Sequence, residues 1–346
     1  MRNIALYTLG AAAALLLLDG CKKNDNAATG AEAQEYIQLW MQEYHPGISA
    51  NANGVYILED QPGTGAEWDS NKAYSLLNVT IRSLDGKITS TGHESFAKQL
   101  GTYQTGNYYG PKVTDTQKGY AGVESVLKGM REGGTRTAVV PSWLLTTSRY
   151  STQQEYLDAC PSTTHLIYTI TFSGQTEDVQ AWEIDRLKNY VRAQFGSGVM
   201  PISFNDATSE KDLFYFIPDE SGVKDKTEIG SGVSYKLNYT GMLLSGQVFD
   251  TTIEKVAKDN GIYDSSRTYE PVTIKTAEEV DSYTMGGSSG IVTGFKGGLS
   301  LLKYEGHKGV ALFTSDLGYT STGSGNKIPG YAPLRFDLEV VSIIKE

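Results

Sequence analysis

Cysteine and histidine are scarce: two cysteines (Cys21, Cys160) and four histidines (His45, His93, His165, His307) in 346 residues. Two cysteines make no disulfide framework, and the histidines lack ligand spacing, so no metal site is expected. Long lysine and arginine runs are also missing. With a net charge of −10, this argues against nucleic acid as a partner. Apolar runs are short. The one at residues 4–18 has the length of a secretory h-region and falls short of a membrane span. Proline (10) is sparse beside glycine (38) and tyrosine (22), a balance that suits a β-rich chain with many turns.

What is present begins at the N-terminus. Arg2 supplies a positive n-region, and the apolar run ends in Leu18-Asp19-Gly20-Cys21. That tetrapeptide looks like a bacterial lipobox, in which the Cys21 thiol is lipidated and the preceding bond cleaved. Residues 1–20 then read as a lipoprotein signal peptide and 21–31, small and polar, as a flexible tether. The expected location is a lipid-anchored position in the cell envelope, periplasmic or outer-membrane. With Cys21 lipidated, Cys160 is the remaining thiol, expected to be partly buried and structural.

The rest of the chain reads as a unit used twice. Residues 32–44 place Tyr36, Ile37, Trp40 and Tyr44 on one helical face, and residues 177–195 do so with Ile184, Leu187, Val191 and Phe195. Each helix precedes a β-rich stretch: Leu76 to Thr80 leads to the turn Asp85-Gly86, and Lys236 to Gly241 leads to Ser245-Gly246. Asn78 and Asn238 stand 160 residues apart. Both units close on an alternating strand, Leu166/Tyr168/Ile170/Phe172 and Leu334/Phe336/Leu338/Val340. One inner helix is predicted in each, at 122–132 ending at Gly133-Gly134 and at 294–305 ending at Gly306. The predicted architecture is α+β in two tandem copies: 32–175 for the first with its helix, 176–200 as a connecting helix, and 201–346 for the second. The segment 97–121, with Tyr103, Tyr108, Tyr109 and Tyr120, reads either as an ordered loop or as a peptide- or glycan-binding surface.

Residues 233–346 carry a further pattern. In order come Tyr239-Thr240-Gly241-Met242-Leu243, Gly246, Val248-Phe249-Asp250-Thr251-Thr252, Ile291-Val292-Thr293-Gly294-Phe295, Gly318-Tyr319, Ile328-Pro329 and Ala332 to Asp337. This series resembles the FKBP-type peptidyl-prolyl cis–trans isomerase domain over nearly its whole length. The resemblance implies an antiparallel sheet wrapped on one short helix, and isomerisation of X–Pro bonds with no cofactor. By family position, Phe249, Asp250 and Tyr319 match the catalytic groups. Tyr239, Ile291, Val292, Phe295, Ile328 and Phe336 match the pocket that holds the proline, with Phe295 where the family usually has tryptophan.

Between Asp250 and Pro271, residues 253–268 form an insertion longer than the family usually carries. It includes Tyr263-Asp264-Ser265-Ser266-Arg267, and Arg267 is placed to balance Asp250. The first unit aligns with Val79 at the pocket tyrosine, Thr89-Ser90 at Phe249-Asp250, Val123 at Phe295, Leu145 at Tyr319 and Tyr168 at Phe336, a copy of the fold without its site. Implied partners are prolyl peptides or unfolded envelope proteins, macrolide immunophilin ligands, and a membrane through the N-terminal lipid. The helix faces at 32–44 and 177–195 serve either a homodimer or packing within the chain. The alternative function is a non-catalytic peptide-binding or chaperone lipoprotein.

Overall fold

The computed structural model describes residues 26–203 and 213–345. The signal segment 1–20, Cys21 and residues 22–25 lie outside them. Six strands form the first sheet: β1 (Tyr56–Gln61), β2 (Tyr74–Ser83), β3 (Ile88–Thr91), β4 (Lys112–Asp115), β5 (Thr135–Val140) and β6 (Leu166–Thr176). Their order is β1-β5-β6-β2-β3, with β4 also on β2. The second sheet holds β7 (Phe214–Asp219), β8 (Ser234–Leu243), β9 (Val248–Thr251), β10 (Val272–Lys275), β11 (Thr284–Met285), β12 (Lys308–Phe313) and β13 (Leu334–Ile344). Its order is β11-β10-β8-β13-β12-β7, with β9 on β8. Apart from β11 the two orders are the same, and the strand pairs are antiparallel. Among the described residues seven α-helices accompany them: α1 (Asn26–Tyr44), α2 (Glu94–Gln99), α3 (Ala121–Leu127), α4 (Gln153–Asp158), α5 (Val179–Phe195), α6 (Glu254–Asp259) and α7 (Thr293–Ser300). The fold is α+β.

The α1 helix departs from expectation at both its start and its face. It begins at Asn26, so residues 26–31 are helical instead of tether. Its buried stripe is Ala33, Ile37 and Met41, while Tyr36 and Tyr44 are 50% and 64% exposed. The cause is the unforeseen α4. A Cβ on Gly30 would stand 2.1 Å from the Leu157 carbonyl oxygen, so glycine there lets the helices meet at backbone distance. α5 buries Val179, Glu183, Leu187 and Val191, the last two against Tyr215 of β7 and Leu312 of β12. Ala33, Ile37 and Met41 of α1 and Leu187 and Val191 of α5 thus pack within the chain, while Tyr36 and Tyr44 stay at the surface.

The inner helices are shorter than the sequence suggests. α3 ends at Leu127 because Arg136 of β5 donates to the carbonyls of Val126 (2.7 Å) and Lys128 (2.9 Å), and Gly129 turns the chain at φ 77. α7 ends at Ser300, and Nδ1 of His307 accepts the Lys303 N–H at 3.0 Å. On its inner face, Cβ atoms at Gly294 and Gly298 would meet the Phe313 ring at 2.3 Å and Ala311 at 2.8 Å. Glycine therefore seats α7 directly on β12, and this fixes the helix start that faces the site.

The insertion read only in the second unit is present in both. α2 and its loop match α6 and its loop at an offset of 160 residues. Tyr103 stacks on Tyr109 at 5.3 Å, and Tyr263 on Tyr269 at 5.4 Å. Lys98 and Lys258 each lie 4.8 Å over the first ring of their pair. The Gln104 N–H donates to the Tyr109 hydroxyl, and the Asp264 N–H to that of Tyr269.

Candidate active site

β8 supplies Tyr239 and Gly241 to the concave side of the second sheet, and β13 supplies Phe336 opposite Gly241. A Cβ on Gly241 would lie 2.6 Å from the Phe249 ring and 2.7 Å from the Phe336 ring. Only glycine leaves room for both rings. The β8–β9 pairing shifts register between Gly241 and Met242, leaving Phe249 as the extra residue of a bulge. The bulge re-aims the β9 side chains, turning Phe249 inward (5% exposed) and leaving Asp250 half-buried at the opening.

The rings converge. Phe295 lies 4.8 Å from Phe336 and 5.4 Å from Tyr239, both edge-on, and Phe249 lies 5.6 Å from Phe336, also edge-on. Such edge-to-face pairs add to simple burial. Together they floor an open cavity of about 360 Å³ lined by Tyr239, Phe249, Asp250, Ile291, Val292, Phe295, Tyr319, Ile328 and Phe336. Each of the nine catalytic and substrate-binding residues anticipated in the sequence lines it. Met285, Gly290, Ser324 and Lys327 also line it and were missed, because a two-residue strand and an irregular rim loop carry no periodicity.

One polar cluster stands at the mouth. The Tyr239 hydroxyl donates to Asp250 Oδ2 at 2.5 Å, and Arg267 pairs with Oδ1 of the same carboxylate. The Thr251 N–H donates to Oδ1 at 2.9 Å. Burial, then the Asp250 charge and hydrogen bond, push the Tyr239 phenol well above its usual range, so it stays a neutral donor. Burial and the Asp250 charge likewise raise Tyr319. Val292 is the N-cap of α7, and its carbonyl accepts from Phe295 and Lys296. Its own N–H precedes the intrahelical bonds and has no partner within the helix.

The first unit reproduces the frame. Its β2–β3 pairing shifts register between Ile81 and Arg82, with Thr89 in the bulge, so Thr89 and Ser90 stand where Phe249 and Asp250 do. Val79, Val123 and Leu145 pack against the first core, and Tyr168 is 3% exposed, with burial raising its phenol to about 12. The 3-10 turns Ser142–Leu144 and Ser315–Leu317 correct one pairing: they set Leu145 opposite Gly318 and Thr146 opposite Tyr319. Cys160 is fully buried, with its thiol 3.1 Å from the Ser162 carbonyl.

Comparison with known proteins agrees with this geometry. Residues 225–341 match the family described as FKBP-type peptidyl-prolyl cis-trans isomerase. The chain is 31% identical over 126 residues to FK506-binding protein 2 of Dictyostelium discoideum, covering 36% of this chain and 74% of that protein. It is 31% identical over 108 residues to the macrophage infectivity potentiator of Trypanosoma cruzi, covering 31% of this chain and 42% of that one. With a probable FKBP-type peptidyl-prolyl cis-trans isomerase of Haemophilus influenzae it shares 30% over 152 residues, 44% of this chain and 49% of that one. It thus spans less than half the length of the latter two. With the matched residues enclosing the ring-lined cavity, the chain belongs to the FKBP-type peptidyl-prolyl cis–trans isomerase family.

Proposed function

We propose that the second unit binds prolyl peptides in this cavity and catalyses rotation about the X–Pro bond. The observation that carries the reading is the convergence of Tyr239, Phe249, Phe295 and Phe336 on one open cavity, with Asp250 and Tyr319 at its wall. Partial C–N double-bond character sets a barrier of about 18–20 kcal/mol. No bond is made or broken, so the site needs no nucleophile. The twisted amide is less charge-separated than the planar one, and a dry aromatic cavity favours it by excluding water. The proline ring sits on Phe295, the Val292 N–H donates to the substrate carbonyl, and the Tyr319 phenol donates to the peptide. Asp250, held by Tyr239 and Arg267, fixes the polar side of the cavity. Contacts that strengthen as the amide twists accelerate the step.

The first unit, with small and aliphatic residues at the pocket positions, is catalytically silent in this reading. The lipobox-like Leu18-Asp19-Gly20-Cys21 supports a lipid anchor at Cys21 and, through it, folding of envelope proteins as the task. A protease-coupled assay on a prolyl tetrapeptide tests the reaction. Acceleration by the full chain, reduced in Asp250→Ala and Tyr319→Ala, supports it. Proline-peptide binding without acceleration would replace it by the non-catalytic reading, which the phenylalanine at position 295 favours. Labelled palmitate incorporation lost in Cys21→Ser tests the anchor.

A further inference from the structure

The loop that closes the cavity, residues 320–331, is tied across its base by the Tyr331 N–H, which donates to the Thr320 carbonyl at 2.9 Å. It carries Ser324, Lys327 and Ile328 of the cavity wall. Further out it has a bridge between Ser324 and Ile328 and a few turn bonds. Thr320 (φ 53) and Tyr331 (φ 57), at its two ends, lie in the left-handed region. For a β-branched threonine that conformation is unfavourable and persists only where surrounding structure imposes it.

The outer part of the loop and the Tyr331 ring also meet the first unit. The Tyr108 N–H donates to the Asn326 carbonyl at 2.7 Å. Gly106 lies beside the rim: a Cβ there would be in van der Waals contact with Lys327 Cε at 3.6 Å and 3.3 Å from Ile262 Cγ2. Gln247, in the β8–β9 turn, donates through Nε2 to the carbonyls of Gly106 (3.2 Å) and Asn107 (3.0 Å). The Tyr108 ring packs against the second core, and its hydroxyl donates to the Pro111 carbonyl at 2.9 Å. At the far end of the loop, Tyr74 of β2 meets the Tyr331 ring edge-on at 6.1 Å. Lys327, held against Gly106, reaches back to the Phe249 carbonyl at 3.4 Å.

We propose that the 104–109 segment of the first unit is a strut that positions the rim of the second unit's proline cavity, with Tyr108 and Gln247 as positioning residues. Held at Asn326, Lys327 and Tyr331, the rim keeps Ile328 over the bound ring. The silent unit thereby sets how well the other unit holds substrate. The inference rests on the cavity being the proline site, and its consequence falls on binding more than on turnover: KM rises when the strut is cut, while the groups that meet the twisted amide stay in place.

The test uses the full chain with Gln247→Glu and Tyr108→Ala, singly and together, and Tyr108→Phe as the conservative variant. Neither residue lines the cavity. The carboxylate of Gln247→Glu faces two carbonyls and repels them. Amide exchange across 320–331 is expected to accelerate about tenfold or more in the double variant. KM for a prolyl tetrapeptide, and the Kd of the same peptide measured calorimetrically, are expected to rise about threefold or more with kcat within about twofold. Tyr108→Phe, which keeps the ring and the backbone bond, is expected to match the unaltered chain. Faster exchange at 104–109 with unchanged exchange at 320–331 and unchanged Kd would overturn the strut. Should the unaltered chain show no turnover, the reaction assigned above fails while the exchange and Kd measurements still decide this inference.

Discussion

Asn107 and Arg267 occupy the same position of the same loop, 160 residues apart, and face different tasks. Each N–H closes the same turn, Asn107 onto the Gln104 carbonyl and Arg267 onto that of Asp264. Arg267 turns its guanidinium to its own unit's Asp250, whereas Asn107 offers its carbonyl to Gln247 of the other unit. One loop design supplies charge to the cavity mouth and, in its second use, contact between units.

From the Arg267–Asp250–Tyr239 cluster follows a graded loss of activity. Arg267→Ala should lower kcat/KM about three- to tenfold, because a half-exposed pair contributes about 1 kcal/mol. Asp250→Ala should cost about ten- to a hundredfold, since hydrogen bonds to a charged group contribute about 1.5–3 kcal/mol each. Initial-rate measurements on a prolyl tetrapeptide check the order. Equal losses in the two variants would overturn the gradation and mean that Arg267 and Asp250 act as one unit.

Enlarging the floor should tighten binding. Phe295→Trp adds ring area and an indole donor, so the Kd for a prolyl peptide should fall about three- to tenfold, as about 0.5–1.5 kcal/mol of aromatic contact implies. Phe295→Ala should weaken binding and cost about 3 kcal/mol of stability by opening a void beside Phe336. Calorimetric titration and urea melts read the two effects separately.

Gly241→Ala tests the backbone under the rings. With Cβ within 2.7 Å of both Phe249 and Phe336, one methyl forces both rings aside, an overpacking cost of about 1–3 kcal/mol. Binding should fall more than stability, since the displaced rings are the cavity walls. Gly246→Ala gives the contrast. Nothing stands near its Cβ, but its φ is 87, so it should affect stability alone.

His165 sets an acid limit on the first unit. It is 2% exposed, its Nδ1 accepts the Ser142 N–H at 3.0 Å, and burial lowers its pKa to about 4. The unfolded chain, with an ordinary imidazole, binds the proton first, so stability falls as pH drops from about 6.5 towards 4. The loss approaches about 2–3 kcal/mol near pH 4.5. His165→Asn keeps an acceptor for Ser142 without a titrating group. Urea melts at pH 7 and 4.5 should show the gap between the two proteins narrowing in acid, and a constant gap would rule out His165 as the cause.

How much of this was legible depends on what each residue needed. The cavity was readable residue by residue because Tyr239, Phe249, Asp250, Phe295, Tyr319 and Phe336 sit at fixed places in strands and turns whose order the sequence displays. Lys327 and Ser324 were not, since a rim loop held by tertiary contacts leaves no periodic trace. The α1 face differs from its sequence reading because Tyr36 and Tyr44 are larger than Ala33, while the close approach of α4 at Gly30 selects the small residue. The segment 97–121 reads as aromatic, but the match of 97–111 to 257–271 is hidden by the different residues between the paired tyrosines.

Two sheets of one strand order in a single chain also pose a sorting problem during folding, since the arms of such repeats tend to exchange. Here the closing strands discriminate. Phe336 of β13 faces Gly241 on β8, whereas Tyr168 of β6 faces Ile81 on β2. Were β13 to pair with β2, the Ile81 side chain would occupy the space that Phe249 and Phe336 share over glycine. The same exchange of glycine for isoleucine that leaves the first copy without the ring-lined pocket also makes the two closing strands poor substitutes for one another.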